Sequence, residues 1–191
     1  VEIGIPFSDP IADGPTIQAA ANRALKAKTN PAKILSLVGE IKSRRAIPVA
    51  LLTYYNPIYR MGLENFFESA ARFHVDGVIV PDLPVEESFE YRRVADAYGV
   101  DTIFLVAPST SDGRVKRIAS QSSGFLYLAS LFGVTGARRY LDRNLPRLIR
   151  RTRRLADSLP VCVGFGISTA SHVGAVLEAG AHGAIVGSAI V

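Results

Sequence analysis

Only one cysteine, Cys162, occurs in the 191 residues. It excludes an internal disulfide and fits a reducing compartment. No stretch approaches the ~20 consecutive apolar residues of a membrane span. No basic-then-apolar leader opens the chain, so the expectation is a cytoplasmic protein without a secretory signal. Histidine is scarce, with three in the chain. His74 and His182 fall just before expected strands and His172 inside an expected helix. None stands where a serine or cysteine nucleophile would need its base, and no cluster of His, Cys and carboxylate has metal-ligand spacing. Acid–base work is left to carboxylates, tyrosines and lysines.

What is present is the composition of a folded globular chain, 48% hydrophobic and 20% charged, long enough for one domain with a sizeable core. The net charge is +5. Much of it lies between Arg138 and Arg154, which includes Arg143, Arg147, Arg150, Arg151 and Arg153. A basic stripe can bind nucleic acid. Here only Tyr140 interleaves with the arginines and no nucleic-acid motif accompanies them, so the segment reads as a solvated helix face.

Short apolar, β-branched runs alternate with longer amphipathic ones. The short runs are Val1–Ile5, Ile47–Leu52, Gly77–Val80, Thr102–Val106, Phe125–Leu128, Val161–Val163 and Gly183–Val186. Continuous apolar runs bounded by Gly, Pro or Asp predict buried parallel strands. Helices are predicted over Pro15–Lys26, Pro31–Arg45, Leu63–Phe73, Val85–Tyr98, Asp112–Ser120, Leu141–Leu159 and Ser168–Ala179. The first two open with proline, a favoured first helical residue, and Ser168 and Gly180 are placed to cap and stop the last. Unbroken alternation of strand and helix means an α/β fold with parallel strands. Two architectures compete at this point, an open doubly wound sheet and a (β/α)8 barrel. Seven strands satisfy the barrel if a first βα unit lies upstream of Val1. The chain begins without methionine inside an apparent strand, so the native N-terminus is expected to lie further upstream. No linker divides the chain, and 1–191 reads as a single domain holding strands two to eight.

In such barrels the active site lies at the C-terminal ends of the strands. Glu2 interrupts an apolar strand. With Val1, Ile3 and Ile5 turned to the helices, alternation turns Glu2 to the opposite face. A carboxylate withdrawn from water there would have a raised pKa and suit general acid–base work. The other reading is a structural glutamate paired with a basic residue. The proline-braced loop Pro6–Pro15 follows, with Asp9 and Asp13. Asp13 either caps the helix at Pro15 or leans over the pocket as a second carboxylate. Gly164-Phe165-Gly166-Ile167-Ser168 and Gly187-Ser188 follow the last two strands. Glycine lets backbone N–H groups approach an anion, and helix N-termini add positive potential, so these loops predict a phosphate site. A short extra helix would begin at Ser188–Val191. The two glycines of Ser130–Arg138 suit a mobile lid.

The run from Glu2 through Pro15 to Gln18 closely resembles the signature of the tryptophan synthase alpha subunit. Pro81–Glu87, Gly133–Ala137, Gly164–Ser168 and Gly187–Val191 resemble further motifs of that family, in family order. The resemblance implies a (β/α)8 TIM barrel, here without its first βα unit and C-terminal helix. It implies a lyase that cleaves indole-3-glycerol phosphate to indole and glyceraldehyde 3-phosphate, as one of the last steps of tryptophan biosynthesis. It makes Glu2 the acid–base glutamate and Asp13 the aspartate facing the indole N–H. Backbone groups at Gly136, Gly166, Gly187 and Ser188 would hold phosphate. Tyr54, Ile79, Leu105, Tyr127, Thr135 and Phe165 would line the indole pocket and lid, and ordinary core packing is the rival for the apolar ones. Asp9 and Pro10 would contact a beta subunit in an alpha2-beta2 heterotetramer. Pyridoxal phosphate would belong to that partner, with no metal or cofactor in this chain. A free-standing lyase and a non-catalytic phosphate-ligand-binding barrel are the alternatives, and neither nucleic acid nor membrane is an expected partner.

Overall fold

Strands form where the β-branched runs were expected, and all of them pair in parallel. The computed structural model describes residues 1–130 and 141–191, and the described chain divides into two compact units. The first comprises Val1–Pro10 and Ala20–Ile103. Its sheet runs in the order β1 (Glu2–Gly4), β2 (Ala50–Leu52), β3 (Gly77–Ile79), β4 (Asp101–Ile103). The register aligns Ile3, Leu51, Val78 and Thr102 in one row. Leu51 and Val78 are fully buried, as expected of parallel strands covered by helices.

The second unit comprises Ile11–Ala19 and Phe104–Val191. Its sheet runs β5 (Leu105–Val106), β6 (Leu126–Ala129), β7 (Val161–Gly164), β8 (Gly183–Ala184). The run expected as one strand, Thr102–Val106, is thus two strands on either side of Phe104. The ladder partner changes there: Ile103 pairs with Ile79, whereas Leu105 pairs with Tyr127. A strand has two edges, and a short segment satisfies its amides by pairing one stretch with each neighbour.

Helix α1 (Pro15–Lys26) has its predicted bounds, and α2 (Pro31–Arg44) ends one residue early. Asn30 caps α2, its side chain accepting from Lys33 N at 3.0 Å, one of the orphan donors of a first turn. Within α2, Gly39 faces Phe73. A Cβ at Gly39 would lie 2.7 Å from the Phe73 ring, so the absent side chain lets the ring seat.

Helix α3 (Tyr55–Met61) was not expected. Its sequence, Tyr-Asn-Pro-Ile-Tyr-Arg-Met, reads as a turn, but Pro57 sits in the first turn, where its missing N–H has no intrahelical partner to lose. Ile58 is fully buried, and Asp82 Oδ1 accepts from Tyr55 N at 2.9 Å. Tertiary contacts hold a helix that propensity alone would not. After α4 (Leu63–Arg72), the expected helix Val85–Tyr98 is a 3-10 turn at Val85–Glu87 followed by α5 (Phe89–Ala97). Phe67 of α4 packs edge-on against Tyr91 of α5, ring centroids 5.2 Å apart.

In the second unit α6 spans Asp112–Ala119, α7 Leu145–Leu155 and α8 Ala170–Glu178. The helix expected over Leu141–Leu159 is therefore shorter at both ends, starting next to Pro146, where proline suits a helix N-terminus. Leu145, Ile149, Thr152 and Leu155 make its buried face, and Arg147, Arg150, Arg153 and Arg154 lie exposed. Among these arginines and their neighbours, Arg151 bonds to Asp112 of α6 and to the Thr110 carbonyl. Thr169, not Ser168, caps α8, accepting from His172 N at 3.2 Å. No described helix is long and apolar enough to cross a membrane.

At the N-terminal ends of the strands, Asp76 accepts from Val49 N at 2.6 Å and from Lys42 Nζ at 2.5 Å. Burial alone would raise its pKa. The Lys42 hydrogen bond, the Val49 amide and the Lys42 charge outweigh that and hold it below the ordinary 3.8. A carboxyl depressed on folding stabilises the fold above its unfolded pKa and loses that effect as pH falls through the folded value. The side chain is about half exposed, so the contribution is about 1 kcal/mol or less. Asp76→Asn should therefore lower the urea midpoint at pH 7, with the gap to the wild type closing as pH falls below the ordinary carboxylate range. A gap independent of pH would show that the charge contributes nothing.

Candidate active site

Parallel strands present all their C-terminal ends on one side, and the loops that follow collect there. In the first unit those ends are Gly4, Leu52, Ile79 and Ile103, aligned in one row. Paired residues of a parallel ladder, and residues two apart on a strand, share a face. Glu2 thus lies on the same face as Ile79 and Leu52, away from the buried row of Leu51 and Val78. The expected alternation holds, but the expected withdrawal from water does not: Glu2 is exposed.

Two residues beyond β2, Tyr54 is 2% exposed. Its ring lies 5.4 Å from that of Phe7, tilted by 33°. Phe7 belongs to the loop that also carries Asp9 and Pro10, so Tyr54 anchors that loop by ring packing. Ile79 is fully buried, and its carbonyl accepts from Thr53 N at 3.0 Å, which ties the end of β3 to the residue before Tyr54. Asp9 is exposed and accepts from the Ser8 hydroxyl at 2.5 Å.

In the second unit Leu105, Tyr127, Cys162 and Gly183 form one row, so the two expected pocket residues Leu105 and Tyr127 share a face. Phe165, just past β7, meets Tyr127 edge-on at 5.8 Å and 85°. Three of the expected pocket residues therefore come together. What allows it is Gly164. A Cβ there would lie 2.1 Å from the Tyr127 hydroxyl and 2.5 Å from its ring carbon, so the ring occupies space that any side chain would fill. Phe165 itself takes φ +68° and Gly166 φ +82°. The left-handed region costs a non-glycine residue roughly 1–2 kcal/mol. Ser130 helps to hold it, its N–H donating to Gly164 O at 2.9 Å and its hydroxyl to Phe165 O.

Asp13 is buried, at 6% exposure, and its carbonyl accepts from Gln18 Nε2 at 2.7 Å. Its burial ahead of a helix is compatible with either reading of this residue made from the sequence. Gly166 is buried, Gly187 exposed and Ser188 half-buried. Past β8, Ile190 N and Val191 N both turn back to Gly187 O, at 2.8 and 3.2 Å, so Ser188–Ile190 makes a single helix-like turn. Such a turn directs its first backbone N–H groups outward, the geometry an anion needs. Thr135 and Gly136 lie outside the described residues, as does most of the expected lid.

Two of the three histidines have contacts elsewhere. His182 Nδ1 accepts from Val161 N at 2.9 Å, which places its proton on Nε2. His172 is buried, with Nδ1 3.4 Å from Ser168 N and Oγ. Among the described residues, no three of His, Cys, Asp and Glu come together to hold a metal. Sequence reasoning passed over Cys162, whose thiol sits in the Tyr127 row and is pushed up by burial. It gave Phe7 no role, and it read Ser130 only as the start of the lid and Gly164 only as a phosphate-loop glycine. A glycine ending a strand was the available signal for the close approach at Gly164.

The sequence model of the family described as tryptophan synthase alpha chain matches residues 1–191. The tryptophan synthase alpha chain of Methanoregula boonei is 49% identical over the whole of this chain, which spans 72% of that relative. That of Methanopyrus kandleri is 50% identical, again over the whole chain and 68% of the relative. The tryptophan synthase complex of Pyrococcus furiosus contains a chain with a TM-score of 0.91 and 43% identity, matched over 99% of this chain and 75% of that one. A second structure, of the α2β2 complex from the same organism, gives 0.91 and 44% over 98% and 75%. The expected fold class, a (β/α)8 barrel, is the one these neighbours share.

Gly164→Ala should cost about 1–3 kcal/mol, the range for overpacking a filled site, because the Tyr127 ring has to move. Ser130→Ala should cost about 1 kcal/mol through the lost hydroxyl bond. Urea denaturation of each variant checks both numbers, and an unchanged midpoint in Gly164→Ala would contradict the close approach.

Proposed function

The chain belongs to the tryptophan synthase alpha chain family, and from that premise we propose that it is the lyase cleaving indole-3-glycerol phosphate to indole and glyceraldehyde 3-phosphate. The observation that carries this reading is the family match over every residue together with the motif from Glu2 to Gln18. On this reading residues 1–191 act as one domain.

The reaction is a retro-aldol cleavage. A proton is added at indole C3, the bond from C3 to the glycerol carbon breaks, and the hydroxyl on that carbon loses its proton to become the aldehyde. Glu2 serves both transfers, one at C3 and one at the oxygen on its neighbouring carbon, which one carboxyl can reach. Its face of the sheet is shared with the buried Ile79. Because Glu2 is exposed, the bound ring rather than the sheet removes water from it. Positive charge grows on the indole N–H as C3 is protonated, and the buried Asp13 is suited to stabilise it. We assign the ring's other contacts to Tyr54, Leu105, Tyr127, Thr135 and Phe165, and the phosphate to backbone N–H groups of Gly136, Gly166, Gly187 and Ser188, the positions that match the family's motifs.

The chemistry calls for neither metal nor organic cofactor in this chain. The partner is a tryptophan synthase beta subunit in an α2β2 assembly, reached through the loop of Asp9 and Pro10 and carrying the pyridoxal phosphate. A cytoplasmic location follows from that biosynthetic role.

Glu2→Gln keeps the size and shape of the side chain and removes its titrating proton. It should lower indole release by about 10²–10⁴-fold, the usual contribution of a general acid–base group, while the circular dichroism spectrum and urea midpoint stay close to wild type. Turnover at the wild-type rate would rule out Glu2 as the acid–base group. Asp13→Asn should lower kcat as well, by loss of charge rather than of shape.

A further inference from the structure

Tyr54 is the residue before α3, and its own ring is committed to Phe7. As the N-cap of α3 it supplies no side-chain hydrogen bond. An aromatic residue has no oxygen placed to meet the first-turn amides, so another part of the chain must do so. Asp82 does. It lies in Pro81-Asp82-Leu83-Pro84, where the turn Leu83 N to Val80 O at 3.3 Å follows β3 directly. From there Asp82 Oδ1 reaches Tyr55 N at 2.9 Å, across 27 positions of sequence. A carboxylate at a helix N-terminus is further favoured by the backbone dipoles. The bonded amide is the one next to Tyr54, so this contact sets where the Tyr54 backbone, and with it the ring, is held. Thr53, on the other side, is fixed to Ile79 O at 3.0 Å.

We propose that Asp82 is a positioning residue for the substrate pocket. It caps α3 in place of Tyr54, and so holds the Tyr54 ring against Phe7 of the loop that carries Asp9 and Pro10. This rests on the reading of Tyr54 as a pocket residue. Asp82 touches no reacting atom. It acts through the peptide between Tyr54 and Tyr55, and its removal lets the ring drift.

The test pairs Asp82→Ala with Asn30→Ala, which deletes the cap of α2 and loses a comparable bond, from Lys33 N to the Asn30 side chain at 3.0 Å. Both should lower the thermal midpoint. Steady-state cleavage of indole-3-glycerol phosphate, measured with the full chain and its beta partner, should show KM raised about tenfold in Asp82→Ala, with kcat changed less. This is the signature of lost binding geometry. Asn30→Ala should leave KM at the wild-type value. Asp82→Asn, whose side-chain oxygen still accepts, should return KM to within about threefold. If Asp82→Ala does not fold, Asp82→Glu, which overshoots the amide by one methylene, takes its place with the same expected rise. An unchanged KM, an equal rise in Asn30→Ala, or no rescue by Asp82→Asn would overturn the proposal while leaving the cleavage reading intact. A wild-type chain that releases no indole would overturn both.

Discussion

Everything in the candidate site depends on the side-chain alternation of short parallel strands. Each strand is two to four residues long, so only one or two side chains per strand reach each face. One face is filled with apolar residues and lies under helices, as Leu51 and Val78 do. The other then carries whatever the sequence places at the alternate positions. In the first unit Glu2 and Ile79 fall there, and in the second Leu105 and Tyr127 share a face of their own sheet. A shift of register by one residue would exchange the faces and place Glu2 in the core, at the cost of burying a charge. The apolar face therefore specifies the functional one.

The loops beyond the strands need a second kind of support, because a loop has no ladder to hold it. Here it comes from single contacts made at short range. Phe7 rests on Tyr54, Ser130 bonds the backbone of Phe165, and Asp82 caps the helix after Tyr54. Gly164 contributes by the space it leaves for Tyr127. Each is a pairing of residues far apart in sequence. Their effect is to hold aromatic rings still at the strand ends. The strand N-termini carry contacts of another kind. The bonds of Asp76 to Lys42 and Val49 serve the fold and take no part in the site.

Much was legible before any coordinates. The alternation of apolar runs with amphipathic ones reflects two periodicities that differ in kind, and every expected strand overlaps an observed one. The bounds of α1 were read correctly because Pro15 marks its start. The motif from Glu2 to Gln18, with the glycine-ended loops after the last strands, pointed to the right family. What was not legible has physical reasons. α3 has little intrinsic tendency to form and is held by Ile58 and Asp82. The strand at Phe104 divides because its neighbours differ on its two sides. Ser168 and Thr169 are both good caps, and only the local path of the chain selects Thr169.

Sequence alone determined the class of the fold, the strand carrying Glu2 and the family to which the chain belongs, because patterning and a long local motif are properties of neighbouring residues. Tertiary structure decided the exposure of Glu2, the seating of the Tyr127 ring over Gly164 and the capping of α3 by Asp82. These are contacts between residues tens of positions apart, and the energy of each depends on distances of an ångström or less that no local pattern encodes.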